Sequence, residues 1–565
     1  MDRTTVPVRA ALLCGVMLAS AACRENLVPA RGPAREVTIA PESAAIAVGD
    51  SVRFTAVARN GSGSVLAGQA LAWSSSDTAV ARVRADGTAL GVSRGEATIA
   101  VTADSARDSV HLRVQPLVAG VRIAPAGATL VPGGRYPLAV HTVDPEGVPI
   151  ARVDAQWATS DTTVARVAAS GEVLALSEGV ARVSATLGAL TDSVSVRVTR
   201  VTFTSISAGP SLSTCATGPT GAFCWGSDGG YAGSLGTGAA VELLAAPVGV
   251  ASAVPLAAVS VGDAFACGLT EDGRAYCWGN NAFGRLGSTT SDSVAPSPTL
   301  VAGALVLQAV GAGRRHACGL ATGEQVWCWG GNSTGALGIP ITTETSTVPV
   351  QVESPVRFVS VGAGFLHTCA LAEDGTVYCW GRGFQLGDSV GVTGHEPRPV
   401  HGTRRYRELS VGWTHTCALA ADSTAWCWGF NFSGELGTAA GAILYVPVQV
   451  EGAPPFAHIA AGYSSTCALT AAGEAWCWGW NTGGHLGTGD TLSVPTPRSV
   501  GGGVRFAALS AGNQHTCGIG LDGVAYCWGS AASGMLGDGT TEGVRTAPVR
   551  VQGQPGSGTR RGGRR

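Results

Sequence analysis

The residues best suited to chemistry in this chain are its sixteen cysteines, fourteen of which recur in regular pairs. In the segment His367 to Gly381, "HTCALAEDGTVYCWG", the turn around Asp374 separates two strand-like runs. Pairing the runs as a hairpin about Asp374 places Cys369 opposite Cys379, within disulfide reach. The spacing therefore predicts seven disulfides: Cys215–Cys224, Cys267–Cys277, Cys318–Cys328, Cys369–Cys379, Cys417–Cys427, Cys467–Cys477 and Cys517–Cys527.

Metal binding is the alternative chemistry for clustered cysteines. Structural zinc usually requires a close Cys-x-x-Cys chelate, and the repeats lack one. Disulfides are therefore favoured, and paired thiols at this density predict an oxidising compartment. No metal ligand and no cofactor-binding residue is predicted.

Histidines recur two residues before a cysteine, and they are the other candidates for ligation or catalysis. They occupy equivalent places in different repeats, where Phe265 and Ser465 fill the same position, so we expect them to be separate structural residues. The chain has no lysine, which excludes Schiff-base chemistry and the P-loop lysine. We predict no catalytic residue and no enzyme activity, although a propeller can assemble a site from distant blades. The histidines are His316, His367, His415 and His515.

Seven copies of a Cys-Trp-Gly signature indicate the architecture that carries these cysteines. A repeat of about fifty residues with strand-like content is typical of propeller blades. The tryptophans are predicted to be blade cores, on the strand face opposite the cysteines. They are Trp225, Trp278, Trp329, Trp380, Trp428, Trp478 and Trp528.

The repeats resemble those of the regulator-of-chromosome-condensation family over residues 200–553. The shared motifs are the Gly-x-x-His-Thr-Cys-Ala-Leu lead, the Asp-Gly turn and the Asn-x-x-Gly-x-Leu-Gly loop, which is complete at Asn281 to Gly287. Strands such as "VPVQV" lie between the copies, and the last, "APVRV" at Ala547 to Val551, has no later hairpin to join. We therefore expect it to close the ring by pairing with the first blade around Phe203 to Ser207.

Two shorter copies precede the propeller. "WSSSDTAVARV" from Trp73 is answered by "WATSDTTVARV" from Trp157, and both lie among short alternating segments typical of β-sandwiches. These copies resemble bacterial immunoglobulin-like domains of group 2, predicted at 35–116 and 117–199. The predicted fold is all-β: two tandem Ig-like sandwiches followed by a seven-bladed propeller with one disulfide per blade. The resemblance implies that the sandwiches act as spacers or, alternatively, as adhesins.

The N-terminus is predicted to direct export. Residues 1–22 have the charge, apolar stretch and small-residue end of a signal peptide. Cys23 follows in "SAAC", which resembles the lipobox of bacterial lipoproteins and implies lipidation, with 23–34 as a linker. The alternative is ordinary cleavage near Ala22 and release of a secreted protein. Residues 554–565 are predicted to be a disordered basic tail.

Positions where the repeats differ from one another indicate where recognition takes place. One set directly follows the glycine that leads each hairpin, and a second follows each Cys-Trp-Gly, so both are expected on a single rim. Exposed clustered aromatics beside arginines are typical of recognition surfaces. The alternative is that these side chains fold inward over loop backbone. The candidates are Arg314, Phe365, Arg382, Trp413, Phe430, Tyr463 and Trp480.

These features predict an exported, lipid-anchored cell-surface binding protein, expected to be monomeric, whose head recognises an extracellular or envelope protein or a glycan. A formal net charge of −2 offers no field for nucleic acid, and membrane contact is expected only through the lipid anchor. One alternative is an enzyme inhibitor similar to the secreted beta-lactamase inhibitory protein. Another is guanine-nucleotide exchange, which the family name implies but which export and disulfides disfavour.

Overall fold

The computed structural model describes residues 32–150, 154–230 and 233–556. The predicted signal peptide, Cys23, most of the linker and the residues after 556 lie outside this description. Within these ranges the chain is all-β, as predicted, with three short 3-10 helices at Ala282–Gly284, Gly383–Gln385 and Ala532–Gly534. No helix in the same ranges is long and apolar enough to cross a membrane.

The first compact unit contains a β-sandwich. Its strands are β1 (Glu36–Ala40), β2 (Ser43–Ala47), β3 (Ser51–Arg53), β4 (Thr55–Arg59), β5 (Ala72–Ser75), β6 (Ala81–Val83), β7 (Thr88–Gly91), β8 (Gly95–Ala103) and β9 (Ala106–Gln115). One sheet has the order β2-β9-β8-β5, another has the order β3-β7-β6, and β1 pairs with β4. Phe54, Ile99 and Leu112 are buried between them, so apolar burial forms this core without a disulfide.

A second sandwich repeats this plan. Its strands are β10 (Gly120–Ala124), β11 (Gly127–Leu130), β12 (Arg135–Pro137), β13 (Ala139–Val143), β14 (Pro149–Ile150), β15 (Gln156–Thr159), β16 (Ala165–Val167), β17 (Glu172–Ala175), β18 (Gly179–Leu187) and β19 (Leu190–Val198). Strands β15, β18, β19 and β11 form one sheet, and β12, β17 and β16 form another. Gly171 adopts φ +86°, and a Cβ there would lie 2.7 Å from the ring of Trp157, so the turn beside this tryptophan requires glycine.

The propeller has seven four-stranded blades, and each blade uses four consecutive strands. They are β20 (Ser205–Ala208), β21 (Ser213–Gly218), β22 (Gly221–Ser227) and β23 (Leu243–Gly249); β24 (Ala258–Val261), β25 (Phe265–Leu269), β26 (Ala275–Asn280) and β27 (Val294–Leu300); β28 (Leu307–Ala312), β29 (His316–Ala321), β30 (Val326–Gly331) and β31 (Thr345–Gln351); β32 (Phe358–Ala363), β33 (His367–Ala372), β34 (Val377–Gly381) and β35 (Gly394–Pro399); β36 (Tyr406–Val411), β37 (His415–Ala420), β38 (Ala425–Phe430) and β39 (Ile443–Gln449); β40 (His458–Ala461), β41 (Ser465–Leu469), β42 (Ala475–Gly479) and β43 (Val494–Ser499); and β44 (Phe506–Ala511), β45 (His515–Gly520), β46 (Ala525–Ser530) and β47 (Val544–Arg550). Blade 1 also meets the second sandwich, because Leu130 in β11 pairs with Val248 in β23.

The central hairpin of each blade carries the predicted disulfide. In blade 4, Cys369 and Cys379 are direct cross-strand partners in β33 and β34, and their Cα atoms are 4.1 Å apart. The other six predicted pairs are bonded in the same way. The prediction of one disulfide per blade is confirmed.

The signature tryptophans join neighbouring blades. Trp380 is fully buried and lies in one core cluster with Cys318 and Cys328, the disulfide of the preceding blade. Its indole Nε1 donates a hydrogen bond of 3.0 Å to the carbonyl oxygen of Ala336, also in the preceding blade. The prediction that these aromatics are cores is therefore confirmed, and each seam between blades combines a disulfide with an indole.

The prediction for ring closure is wrong. The terminal strand β47, which contains "APVR", pairs with β46 of its own blade and not with the first blade. Ser205–Ala208 already supplies the inner strand of blade 1, so that blade is complete without a strand from the C-terminus. Each Pro-Val strand is the outer strand of the hairpin that precedes it, so the last one completes blade 7.

The ring closes instead through the seam used elsewhere. Trp225 of blade 1 lies in one buried cluster with Cys517 and Cys527 of blade 7. Its Nε1 donates a hydrogen bond of 2.9 Å to the carbonyl oxygen of Met535 in blade 7. Side-chain packing and several hydrogen bonds between blades 1 and 7, among them this indole bond and the contact of Thr214 Oγ1 with His515 Nε2 at 2.7 Å, therefore close the ring without a shared blade.

Candidate partner-binding face

The sequence-predicted binding residues lie at one end of the propeller, here called the upper face, on loops and, for Phe430, at the end of strand β38. At this end the first strand of each blade turns into the second, and the third strand leaves for the fourth. The Asp-Gly turns lie at the other end. The structure separates the seven candidates on this face into an inner row, an outer cluster and one isolated tryptophan.

The inner row consists of Arg314, Phe365, Trp413 and Tyr463 on consecutive blades. The Arg314 guanidinium lies 4.3 Å from the centroid of the Phe365 ring, in cation–π geometry. The Phe365 ring meets the Trp413 ring edge to face, with their centroids 5.0 Å apart, and Trp413 stacks on Tyr463 with a centroid distance of 5.5 Å. The four side chains therefore form a continuous row.

The inner row borders the central channel. The first strands of all seven blades surround a cavity of about 320 Å³, and Pro210, Trp413 and Tyr463 also line it. Small residues of the inner strands leave this space open. Two members of the row therefore border the channel as well as the upper face.

Inter-blade hydrogen bonds hold the inner row in place. The backbone N–H of Arg314 donates to the carbonyl of Gly364 at 3.1 Å, and that of Trp413 donates to Gly462 at 2.9 Å. Below them, the Arg285 guanidinium donates to the carbonyl of Arg314 at 3.0 Å. Because backbone and buried side chains fix these loops, a ligand would meet a preorganised surface.

One expectation about the row needs correction. The prediction treated these aromatics as exposed, but Trp413 is only 8% exposed, because Phe365 and Tyr463 cover its two sides. Phe365, Tyr463 and Arg314 are partly exposed. The solvent-exposed surface of the row is therefore formed by the neighbours of Trp413, which itself packs between them.

Arg382 and Phe430 belong to a second group, the outer cluster, with three residues that sequence reasoning missed: Phe384, Phe432 and Tyr445. The centroid of the Phe384 ring lies 6.3 Å from that of Phe430 and 6.1 Å from that of Tyr445, and the ring centroids of Phe430 and Phe432 are 5.3 Å apart. The Arg382 guanidinium lies 5.7 Å from the Phe384 ring. A signal was present in the sequence, because "GRGF" at 381–384 lacks the asparagine that four other repeats carry, as Asn281, Asn332, Asn431 and Asn481.

Trp480 stands apart from both groups. Its ring meets His485 edge to face at 5.4 Å, and its backbone N–H donates to the carbonyl of Ser464. Burial lowers the pKa of His485 to about 4, so this imidazole is neutral near pH 7.

Asparagines shape most of the upper-face loops between the third and fourth strands. The amide of Asn431 donates to the carbonyls of Thr438 and Ala440 at 3.0 Å, and its Oδ1 accepts from the N–H of Leu436. Blade 4 lacks this residue. There Asp388 accepts from the N–H groups of Val390 and Gly391 instead, which gives that loop a different course.

The recurring histidines are buried seam residues, as expected. His316 Nε2 lies 2.8 Å from Thr368 Oγ1 of the next blade, and that hydroxyl donates to the Ala336 carbonyl. The imidazole therefore donates from Nε2. His367, His415 and His515 contact Thr416, Thr466 and Thr214 in the same way. In the part of the chain that the structure describes, no group of histidine, cysteine and carboxylate side chains is arranged to hold a metal.

Desolvation keeps these imidazoles neutral. Burial lowers the pKa to about 4 for His316 and to about 3 for His367, His415 and His515. In the unfolded chain the same groups titrate near pH 6.5. Protonation therefore favours the unfolded chain below that pH.

Known protein families match both the propeller and the two sandwiches of this chain. The model of the RCC1-like domain family matches residues 221–562, and the bacterial Ig-like domain (group 2) matches 33–114 and 117–198. This chain belongs to the RCC1-like domain family. Its two N-terminal sandwiches are bacterial Ig-like domains of group 2.

Individual relatives match over shorter stretches. The chain is 36% identical to the ultraviolet-B receptor UVR8 of Arabidopsis thaliana over 19% of this chain and 25% of that protein. It is 37% identical to the regulator of chromosome condensation of Mus musculus over 22% of this chain and 29% of that protein. The chain thus spans between a quarter and a third of the length of these curated relatives.

Two solved structures share the fold. Prp20p from Saccharomyces cerevisiae aligns with a TM-score of 0.53 at 23% identity, over 62% of this chain and 87% of that one. Human WBSCR16 aligns with a TM-score of 0.54 at 20% identity, over 58% and 94%. An RCC1-like propeller with Ig-like domains suggests a binding or adaptor role. The disulfides and bacterial Ig-like domains are consistent with an extracellular or exported protein.

The buried histidines predict acid sensitivity. Their contribution to stability is fully present above about pH 6.5 and is lost as the pH falls towards their folded pKa values, by about 1.4 kcal/mol per pH unit for each histidine. We expect the melting temperature of the propeller to fall between pH 7 and pH 4. His367→Ser, which copies the natural Ser465, removes one such group and should be less stable than wild type at pH 7.

Thermal melts of both proteins across this range check the prediction. The difference in melting temperature between them should narrow as the pH falls. A difference that stays constant from pH 7 to pH 4 would show that His367 does not take up a proton on unfolding.

Proposed function

We propose that this protein is an exported binding protein whose propeller head recognises a protein or glycan outside the cytoplasm. The observation that carries the proposal is the inner row of Arg314, Phe365, Trp413 and Tyr463 at the mouth of the channel. In this proposal the Ig-like domains act as a stalk, and the lipidated Cys23 anchors the chain at the cell surface.

The chemistry of the inner row supports recognition over catalysis. Arg314 pairs with Asp263 at 3.6 Å, and both side chains are 34% exposed, so a partner can reach both charges. Phe365 and Tyr463 add partly exposed rings on a fixed backbone. Aromatic and arginine side chains are common anchors in interfaces, and rigid presentation reduces the entropy lost on binding.

Tyr463→Ala tests the proposal. Wild type, Tyr463→Ala and the control Leu521→Ala are tagged and incubated with envelope proteins and glycans from cells that produce the protein. Leu521 is 63% exposed at the Asp-Gly turn of blade 7, on the opposite face. Loss of an interface anchor commonly weakens the binding free energy by about 2 kcal/mol. The amount of envelope protein or glycan that Tyr463→Ala retains should therefore fall by about tenfold or more.

Circular dichroism establishes that the variants fold. Treating the retained envelope fraction with protease or with periodate distinguishes a protein partner from a glycan partner. Equal retention by wild type and Tyr463→Ala, or a loss confined to Leu521→Ala, would contradict a binding role for the inner row.

Anchoring at Cys23 has its own test. Cells grown with a clickable palmitate analogue should label the wild-type chain and fail to label Cys23→Ser, because the cysteine sulfur is the expected attachment point of the diacylglyceryl group whose acyl chains carry the label. Equal amounts of both forms, captured from cells and medium together, are compared for label. Equal labelling would refute lipidation at this residue and leave the secreted form as the exported state.

A further inference from the structure

An apolar patch extends from the outer cluster across the upper rim of blades 4 and 5. It adds Val390 and Val392, which lie in the loop between β34 and β35. Val390 is 65% exposed and Val392 is 52% exposed, and Phe432 is 69% exposed. Phe384 and Tyr445 are each 37% exposed. Solvent-exposed apolar side chains that gather in this way mark interaction sites more often than single exposed residues do.

Contacts between the two blades make the patch continuous. The N–H of Ser389 donates to the carbonyl of Tyr445 at 2.9 Å. Gly391, between the two valines, lies so close to Tyr445 that a Cβ would come within 2.6 Å of its ring. Phe384 then touches both Tyr445 and Phe430. The patch is therefore one surface held by both blades.

The polar side chains that shape these loops are already bonded inside the protein. Asp388 accepts two backbone N–H groups and lies 3.4 Å from the Arg398 guanidinium. The Asn431 amide is occupied by backbone groups of its own loop. A glycan needs convergent donors and acceptors for its hydroxyls, and these two side chains do not supply them.

Arg382 supplies the polar character of the patch. It lies 5.7 Å from the Phe384 ring, and within the described ranges it has no carboxylate partner at ion-pair distance. A carboxylate from a partner would complement this charge while the partner's apolar side chains cover the rings. A single arginine is too little charge to favour an anionic membrane, where binding rises with each basic residue.

We propose that this patch docks a protein segment that carries two or more apolar side chains beside an aspartate or glutamate. The inference rests on the proposed role of the propeller as a binding head, and it places a second contact outside the inner row. Phe432, Val390 and Tyr445 would pack against the apolar side chains, and Arg382 would pair with the carboxylate.

The probe is a phage-displayed library of random twelve-residue peptides, selected on the immobilised full chain. Selected peptides are synthesised, and their dissociation constants are measured against wild type, Phe432→Ser, Arg382→Glu, Tyr463→Ala and Leu492→Ser. Leu492 is the matched control, since it is 65% exposed in the equivalent loop of blade 6.

We expect the peptides to combine apolar residues with Asp or Glu. Phe432→Ser and Arg382→Glu should each weaken binding by about tenfold or more, while Leu492→Ser should leave it unchanged.

Several results would overturn the inference. One is the absence of any enriched peptide. Another is enrichment of peptides that bind Phe432→Ser as tightly as wild type. Peptides weakened only by Tyr463→Ala would refute the patch while supporting the proposed function at the inner row. Phosphatidylcholine–phosphatidylglycerol vesicles or arrayed glycans that bind wild type and lose binding with Phe432→Ser would assign the patch to a membrane or a glycan instead.

Discussion

The seam between adjacent blades is the contact on which the propeller depends. An indole from one blade lies beside the disulfide of the preceding blade, and in five seams its Nε1 donates to a backbone carbonyl across the gap. Burial of the indole stabilises the seam, because a fully buried aromatic side chain removes a large apolar area from water. The disulfide keeps the opposing hairpin in register, so the indole meets the same surface in every blade. The same seam recurs between blades 7 and 1, and it therefore closes the ring.

A frame held by its seams leaves the upper-face loops free to differ. The inner strands carry small residues around the channel, and the loops above them carry a different side chain in each blade. Blades 3 to 6 use this freedom for the inner row, where each ring rests on the next. Blades 4 and 5 also form the outer cluster, because blade 4 replaces the asparagine loop with one held by Asp388. Both candidate surfaces thus arise where the repeat departs from its own pattern.

Local pairing explains which features could be predicted from the sequence. Cys369 and Cys379 are ten residues apart across one turn, so the hairpin register follows from the turn alone. The alternation of Cys379 and Trp380 predicted that these two side chains would face opposite neighbouring blades. Ring closure depends instead on whether a strand joins the preceding or the following hairpin, and a periodic sequence does not distinguish the two. The burial of Trp413 depends on Phe365 and Tyr463, each about fifty residues away along the chain. Phe432 does not follow from the repeat pattern, because it comes after the loop residue Asn431 and not directly after the Cys-Trp-Gly signature.

The measurement that tests this account most directly compares the free energy of unfolding of Trp225→Ala and Trp380→Ala, obtained by chemical denaturation and near-ultraviolet circular dichroism. Trp225 lies at the closing seam and Trp380 at an internal one, and both are fully buried. If one kind of seam holds the whole ring, each substitution should cost about 3 to 5 kcal/mol, while the exposed Phe432→Ala should cost about 0.5 kcal/mol or less. A Trp225→Ala protein as stable as wild type, beside a strongly destabilised Trp380→Ala protein, would contradict closure by this seam.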